Sequence, residues 1–215
     1  MKQLLLLLPF LLGVTLAGHS QKLIQKNLDV QGKKVAMKFS FADSIIIEAW
    51  DQNTIDLKVS ADIDNNKYND YYTLKERNEA GTLYLDEDID FKSLEKKLGK
   101  HMNIDMNIIY RLRVPANLEF DLNTISGQVE VKGALGKMDI NSISGFIDYS
   151  IPATLKAKID LSTISGNVYS DVQFEDKAEK DMTPVGTKRK LTLNGGNVPI
   201  ALKTISGDIY LRKGR

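Results

Sequence analysis

The chain has 215 residues, a formal charge of +1 and no cysteine, which excludes disulfides, thiolate metal sites and a lipid-modified N-terminal cysteine. Loss of an N-terminal leader would take Lys2 with it and leave no net charge, a balance that excludes the basic face nucleic acid requires. A chain of this length suits one domain, or two joined halves, held together by core burial alone.

Lys2, the apolar residues 4–8, 10–12 and Val14, and the small residues Ala17, Gly18 and Ser20 predict a cleavable secretory signal over residues 1–20. Pro9 and His19 interrupt it before it reaches the roughly 20 apolar residues of a membrane span. The expectation is an exported protein (periplasmic, cell-surface or secreted) that is not a lipoprotein and has no membrane span after cleavage.

Residues 21–115 then alternate between apolar and polar positions. Val35, Met37, Phe39 and Phe41 share one parity, followed by Ile45, Ile47 and Ala49, by Ile55, Leu57, Val59, Ala61 and Ile63, by Leu83 and Leu85, and by residues 104–114. Period two predicts strands. They are expected to continue the stack described next, antiparallel packing being the alternative. Residues 91–102 break the pattern, and Leu94 and Leu98 at helical spacing predict a short helix or an excursion.

From residue 116 a six-residue motif recurs. It reads Leu-Asn-Thr-Ile-Ser-Gly at 122–127, Ile-Asn-Ser-Ile-Ser-Gly at 140–145, Leu-Ser-Thr-Ile-Ser-Gly at 161–166 and Leu-Lys-Thr-Ile-Ser-Gly at 202–207. The glycines lie 18, 21 and 41 residues apart, so the last gap reads as two periods with a degenerate copy at 191–196. Apolar parity flips after each glycine, which predicts two strands joined at a glycine corner. One such turn buries too little apolar surface to offset its backbone entropy, so the turns must stack. Stacking makes columns of like residues: Thr124, Ser142, Thr163 and Thr204; Ser126, Ser144, Ser165 and Ser206; Gly127, Gly145, Gly166 and Gly207. Strict alternation would expose Ile125, Ile143, Ile164 and Ile205, so the chain is expected to turn early and bring them inward. Residues 171–190 predict a charged loop, and Arg212, Lys213 and Arg215 are expected to blunt an open sheet edge.

The predicted fold is all-β: a parallel β-solenoid, or single-stranded β-helix, right-handed by the usual crossover preference, with rungs of about 20 residues. Residues 116–215 form the repeated part. The Thr-Ile-Ser-Gly copies, Val-Pro before the first of them and the closing Leu-Lys-Thr-Ile-Ser-Gly-Asp-Ile-Tyr-Leu resemble the exported putative-adhesin family, a domain of unknown function. That resemblance implies a β-helix of bacterial envelopes and carries over no functional residues.

Chemistry finds little footing. After the leader, His101 is the one histidine, and the repeated serines are explained by stacking. Asp62, Asp64, Asn66, Tyr68 and Asp70 suggest a calcium loop, but Lys67 stands where glycine is needed and Thr73 where a bidentate glutamate belongs. The acidic residues 86–90 read as a solvated turn. No catalytic residues, metal or cofactor are assigned. The residues three after each glycine form a column of Glu130, Asp148, Tyr169 and Tyr210, beside Gln128, Phe146, Asn167 and Asp208. Carboxylates with tyrosines suit a sugar, so the expected function is a non-enzymatic, adhesin-like envelope protein presenting this face to a glycan or an envelope protein. A polysaccharide hydrolase or lyase using Glu130 and Asp148, or a purely structural or stress-associated envelope component, are the alternatives.

Overall fold

The structure, a computed structural model, describes residues 20–175, 181–182 and 186–214. The predicted signal over 1–20 lies outside the described residues except for Ser20, as do 176–180 and 183–185 of the predicted charged loop, and Arg215.

The N-terminal half forms β1 (Lys22–Asp29), β2 (Lys34–Lys38), β3 (Ser44–Trp50), β4 (Thr54–Ile63), β5 (Tyr72–Glu79) and β6 (Thr82–Ile89). A short helix, α1 (Phe91–Leu98), precedes β7 (Met106–Pro115). The repeat half forms β8 (Phe120–Thr124), β9 (Gln128–Lys132), β10 (Met138–Ser144), β11 (Ile147–Ile151), β12 (Ala157–Ser165) and β13 (Val168–Ser170). It ends with β14 (Asp181–Met182), β15 (Thr187–Leu193), β16 (Val198–Ser206) and β17 (Ile209–Lys213).

The strands make two large mixed sheets, neither closed into a barrel. The first sheet runs β14-β15-β12-β16-β10-β8-β2-β6-β5, and the second β1-β4-β7-β3-β9-β11-β17-β13. Each repeat places its strand before the glycine in the first sheet and its strand after the glycine in the second. Repeats pair with one another in parallel in both sheets. β2 and β3 extend the same parallel ladders, and β6 and β7 extend them once more. Antiparallel strands finish both ends, with β5, β4 and β1 at one and β15 and β14 at the other. Residues 21–115 therefore supply both parallel turns and antiparallel covers.

Spatial order departs from chain order. β16 pairs on one side with β10 and on the other with β12, so the last repeat lies between the second and the third. The long gap is not two parallel periods. Its supposed degenerate copy is β15, which runs antiparallel on the far edge of β12 and buries Leu191 and Leu193. The chain then crosses back to the near edge as β16. Residues 187–190 of the predicted loop are accordingly strand. Nor do Arg212 and Lys213 guard an edge, because β17 is interior, between β11 and β13.

The core fills from both sheets with the residues that alternation selects, among them Phe120, Leu122 and Ile140 from one and Val129, Ile147 and Ile209 from the other. The corner joining the sheets has no room for a side chain. A Cβ on Gly145 would stand 2.0 Å from the Gly127 carbonyl oxygen, and one on Gly207 would stand 2.0 Å from that of Gly145. Gly166 meets Gly207 in the same way, and Gly127 meets Ala42, so the column runs through every repeat. Gly127 and Gly145 also hold φ of +100° and +116°, open to glycine and strained for other residues. Inside the corner the buried hydroxyls satisfy carbonyls that the bend leaves over: Thr124 Oγ1 donates to the Ser126 carbonyl at 2.6 Å and Thr163 Oγ1 to that of Gly207 at 2.9 Å.

One prediction follows for stability. Gly145→Ala should lower the unfolding free energy by about 2–4 kcal/mol, measured by urea titration, because a methyl is forced against a neighbouring backbone. An unchanged midpoint would mean that the two corners do not touch.

Candidate functional site

The candidate column is continuous in space on the outer face of the second sheet. Register places Glu130 beside Asp148, Asp148 beside Tyr210, and Tyr210 beside Tyr169. The expected order was Tyr169 and then Tyr210; insertion of the last repeat reverses them. The parallel strands β9, β11, β17 and β13 each contribute one outward residue, because period two returns that position to the same face.

This exchange builds an aromatic cluster. Tyr210 and Tyr169 stack with centroids 5.2 Å apart and planes 15° from parallel, and Phe146 meets Tyr210 edge-on at 6.0 Å. The Arg212 guanidinium lies 5.0 Å from the Tyr210 ring centre while its Nε donates to Asp148 at 2.7 Å. The Tyr210 hydroxyl donates to Asp208 at 3.1 Å, and that bond holds its pKa above the usual tyrosine value. Asp208 also accepts the Asn167 backbone N–H at 2.7 Å. Tyr169, on the edge strand β13, remains 49% exposed.

The carboxylate pair is differently occupied. Asp148 holds Arg212, and Glu130 lies 3.5 Å from Lys132, which also reaches Glu48 at 3.4 Å. The two groups stand on adjacent strands, yet each already neutralises a cation. An acid and a base of distinct character are what a glycosidase needs; this arrangement is closer to a surface ion network.

The same face changes character toward its other end. Beyond Glu130 the column continues through Ile46, Arg111 and Lys58. Alongside it Arg113 Nε donates to Asp56 at 3.1 Å and its guanidinium covers the Trp50 ring at 4.5 Å. His101 lies in an exposed turn after α1.

The suggested calcium loop spends oxygens on its own residues, Asp64 pairing with Lys67 and Asn66 Oδ1 accepting from the Asn69 side-chain amide. Asp62 Oδ1 accepts the Asn66 N–H and Asn69 Oδ1 the Ile63 N–H, both at 2.7 Å, across a turn with positive φ at Asp64, Asn65 and Asn66. The acidic residues 86–90 are not a solvated turn. They lie mostly on β6, where Asp86 pairs with Arg77, Asp88 with Lys75, and Asp90 caps α1 through the Ser93 N–H.

Glu87 is the departure from expectation. It shares the inward parity of Leu83, Leu85 and Ile89, and its carboxylate accepts Tyr110 Oη at 2.7 Å and the Phe41 N–H at 2.8 Å. Tyr110 in turn contacts Tyr72 Oη at 2.8 Å and stacks on Phe39 at 3.9 Å, and both tyrosines are fully buried. Burial pushes both tyrosine pKa values well up and raises that of Glu87, with the nearby Asp43 carboxylate adding to the latter.

The repeated isoleucines, expected to turn inward, face outward. Ile125, Ile143, Ile205 and Ile164 are 44–51% exposed, because alternation persists as far as the isoleucine, each following a buried Thr or Ser. They stand side by side at the rim of the first sheet's outer face. They wall a trough of about 450 Å³ whose floor includes Asn123, Asn141 and Ser162 and which Lys38 and Lys203 border.

Residues 116–212 match the Toastrack DUF4097 family. The repeat half of this chain is similar to that family. Among solved structures, a putative cell adhesion protein from Clostridium sporogenes ATCC 15579 aligns over 90% of this chain and 100% of its own, with a TM-score of 0.56 and 10% identity. A putative adhesin from Bacteroides fragilis NCTC 9343 aligns over 91% and 98% with 11% identity and a TM-score of 0.33, too low to support an argument. At 10% identity, the Clostridium structure shows a shared fold alone. None of the curated proteins matches the sequence. Among the described residues, no helix is long and apolar enough to cross a membrane.

The half-buried Glu87 carboxyl generates a prediction with a definite sign. A raised folded pKa means that the contribution of Glu87 to stability is fully present below its ordinary value of 4.5 and is lost as pH rises through the folded value. Glu87→Gln keeps the geometry without the charge. Its melting temperature relative to wild type should therefore rise between pH 4 and pH 8, and a difference constant over that span would contradict the assignment.

Proposed function

We propose that the protein is a non-catalytic, adhesin-like module of the cell envelope that binds a glycan on the outer face of its second sheet. In this reading the residues 1–20 direct export, and the parallel turns act as a β-solenoid scaffold. The single observation that carries the proposal is the Tyr169–Tyr210 stack at the open end of the Glu130–Asp148 column.

A sugar ring offers an apolar C–H face and a rim of hydroxyls. The exposed Tyr169 ring suits the first, and the carboxylates and amide of Asp208, Asp148 and Asn167 suit the second. The tyrosine pair is held before any ligand arrives: Tyr210 is fixed by Asp208 and Arg212, and Tyr169 leans on Tyr210. Preorganisation of this kind lowers the ordering cost of binding. Parallel register adds reach, since successive outward positions repeat about every 4.8 Å along the stack.

The test is a panel of polysaccharides incubated with residues 21–215, scoring both retention of the protein and release of new chain ends. Retention without cleavage is expected, with Tyr169→Ala weakening it about tenfold, a loss of ~1.4 kcal/mol. Retention unaffected by Tyr169→Ala would place the ligand on another face. New chain ends that vanish in Asp148→Asn would replace this reading with a hydrolase or lyase.

A further inference from the structure

The glycan face leaves the isoleucine row unexplained. Four large apolar side chains, each about half exposed, stand on or directly after adjacent parallel strands in the order Ile125, Ile143, Ile205, Ile164. Stacking of one isoleucine on the next covers part of each, and a β-branched residue suits a strand. Threonine would meet the same strand preference without displaying hydrocarbon. The outward position two residues earlier tolerates variety, being Asn123, Asn141, Lys203 and Ser162, whereas the isoleucine position carries the same residue in all four repeats. A contiguous apolar strip on a protein surface marks an interaction site.

The geometry narrows the occupant. A peptide strand laid along the row would present same-face side chains about 6.8 Å apart, against about 4.8 Å between isoleucines. It would find no free backbone to pair with, since β8, β10, β16 and β12 each have a neighbour on both sides. A second copy of the chain would meet a strip only one residue wide, far short of the ~800 Å² per partner that stable interfaces bury. A hydrocarbon chain requires neither register nor hydrogen bonds.

Charge supplies the remaining constraint. The trough is bordered by Lys38 and Lys203, and among the described residues no carboxylate lines it. Lys203 is engaged by Asp139 at 3.1 Å, whereas the Lys38 side chain has no hydrogen-bond or ion-pair partner among the described residues, its cross-strand neighbour Asp86 being held by Arg77. Lys38 lies one strand beyond Asn123, in the row beside the isoleucines, while Ser40 stands next to Ile125. We propose that the trough binds a single-chain anionic amphiphile, its hydrocarbon along Ile125, Ile143, Ile205 and Ile164 and its carboxylate at Lys38. The row spans three strand spacings, about 14 Å, and Lys38 adds a fourth, on the order of the extended length of dodecanoate.

Dodecanoate below its micellar concentration is the probe, titrated calorimetrically into the protein. Saturable one-to-one binding is expected, weakened more than tenfold in the double variant Ile143→Ser, Ile205→Ser and several-fold in Lys38→Gln. Both sets of substitutions are at exposed positions, and melting curves of the unliganded variants check that they fold. Should the double variant not fold, Lys38→Glu alone tests the charged end, and undiminished binding there overturns the proposal. Absence of saturable binding, or equal binding by folded double variant and wild type, also overturns it. So does binding to phosphatidylglycerol vesicles without binding to dodecanoate, which would assign the strip to a membrane surface. A dimer lost in the double variant, with no dodecanoate bound, would assign the strip to a second copy and equally overturn it.

Discussion

The close approach of backbone to backbone at the glycine corner is the contact on which the rest depends. In each repeat the glycine lies against a carbonyl of the turn beside it, close enough that a methyl group would overlap the oxygen. That contact sets the spacing of the turns and lets both sheets keep their hydrogen-bond ladders through the bend. It also explains the hydroxyls. Thr124, Ser142, Thr204 and Thr163 are buried just inside the bend, where a carbonyl would otherwise lack a partner. Ala42 occupies the glycine position of the β2–β3 turn, where the next turn, β6–β7, abandons the corner for the α1 excursion. A side chain is tolerated where the stack of corners ends.

The interleaved order of the last two repeats carries the functional consequences. β15 covers one edge of β12, and β16 fills the other, so the ladder of the first sheet passes unbroken through four motif strands. In the second sheet the same exchange sets Tyr210 between Asp148 and Tyr169. A stack laid down in chain order would separate Arg212 from Asp148 and leave that carboxylate beside Tyr169. The exchange also makes β17 an interior strand and leaves the three-residue β13 as the edge, and a short edge offers little template for unwanted pairing.

Much of this was legible from residues. The parity flip after each glycine located both strands of each repeat, and the shared columns of Thr or Ser and of Gly follow from near-identical copies in register. The column of Glu130, Asp148, Tyr210 and Tyr169 was legible as a set because its members stand three after each glycine. Its order was not, since copies so alike satisfy side-chain register in any sequence of stacking, and the return through β15 decides the matter. The isoleucines were misassigned because exposure of hydrocarbon looked too costly, although alternation itself placed them outside. Glu87 shows a signal present but unread: it continues the inward parity of Leu83 and Leu85, and a carboxyl at such a position calls for buried donors, which Tyr110 and the Phe41 N–H provide.

The tyrosine-bearing face, with Arg212 held on Asp148 and Tyr169 at the edge, rests on β16–β17 lying between β10–β11 and β12–β13. The absence of native cysteine allows a direct test with paired substitutions at outward positions. Asn141 and Lys203 are partners on adjacent strands, within the Cα separation of about 4.4–6.8 Å that a disulfide tolerates. Asn141 and Ser162 stand two strands apart, roughly 9.6 Å by strand spacing and beyond that reach. Under mild oxidation the Asn141→Cys, Lys203→Cys protein should cross-link while folded and the Asn141→Cys, Ser162→Cys protein should not. The reverse result would mean that the repeats stack in chain order, and the Arg212–Asp148 pair and the edge position of Tyr169 would be lost with it.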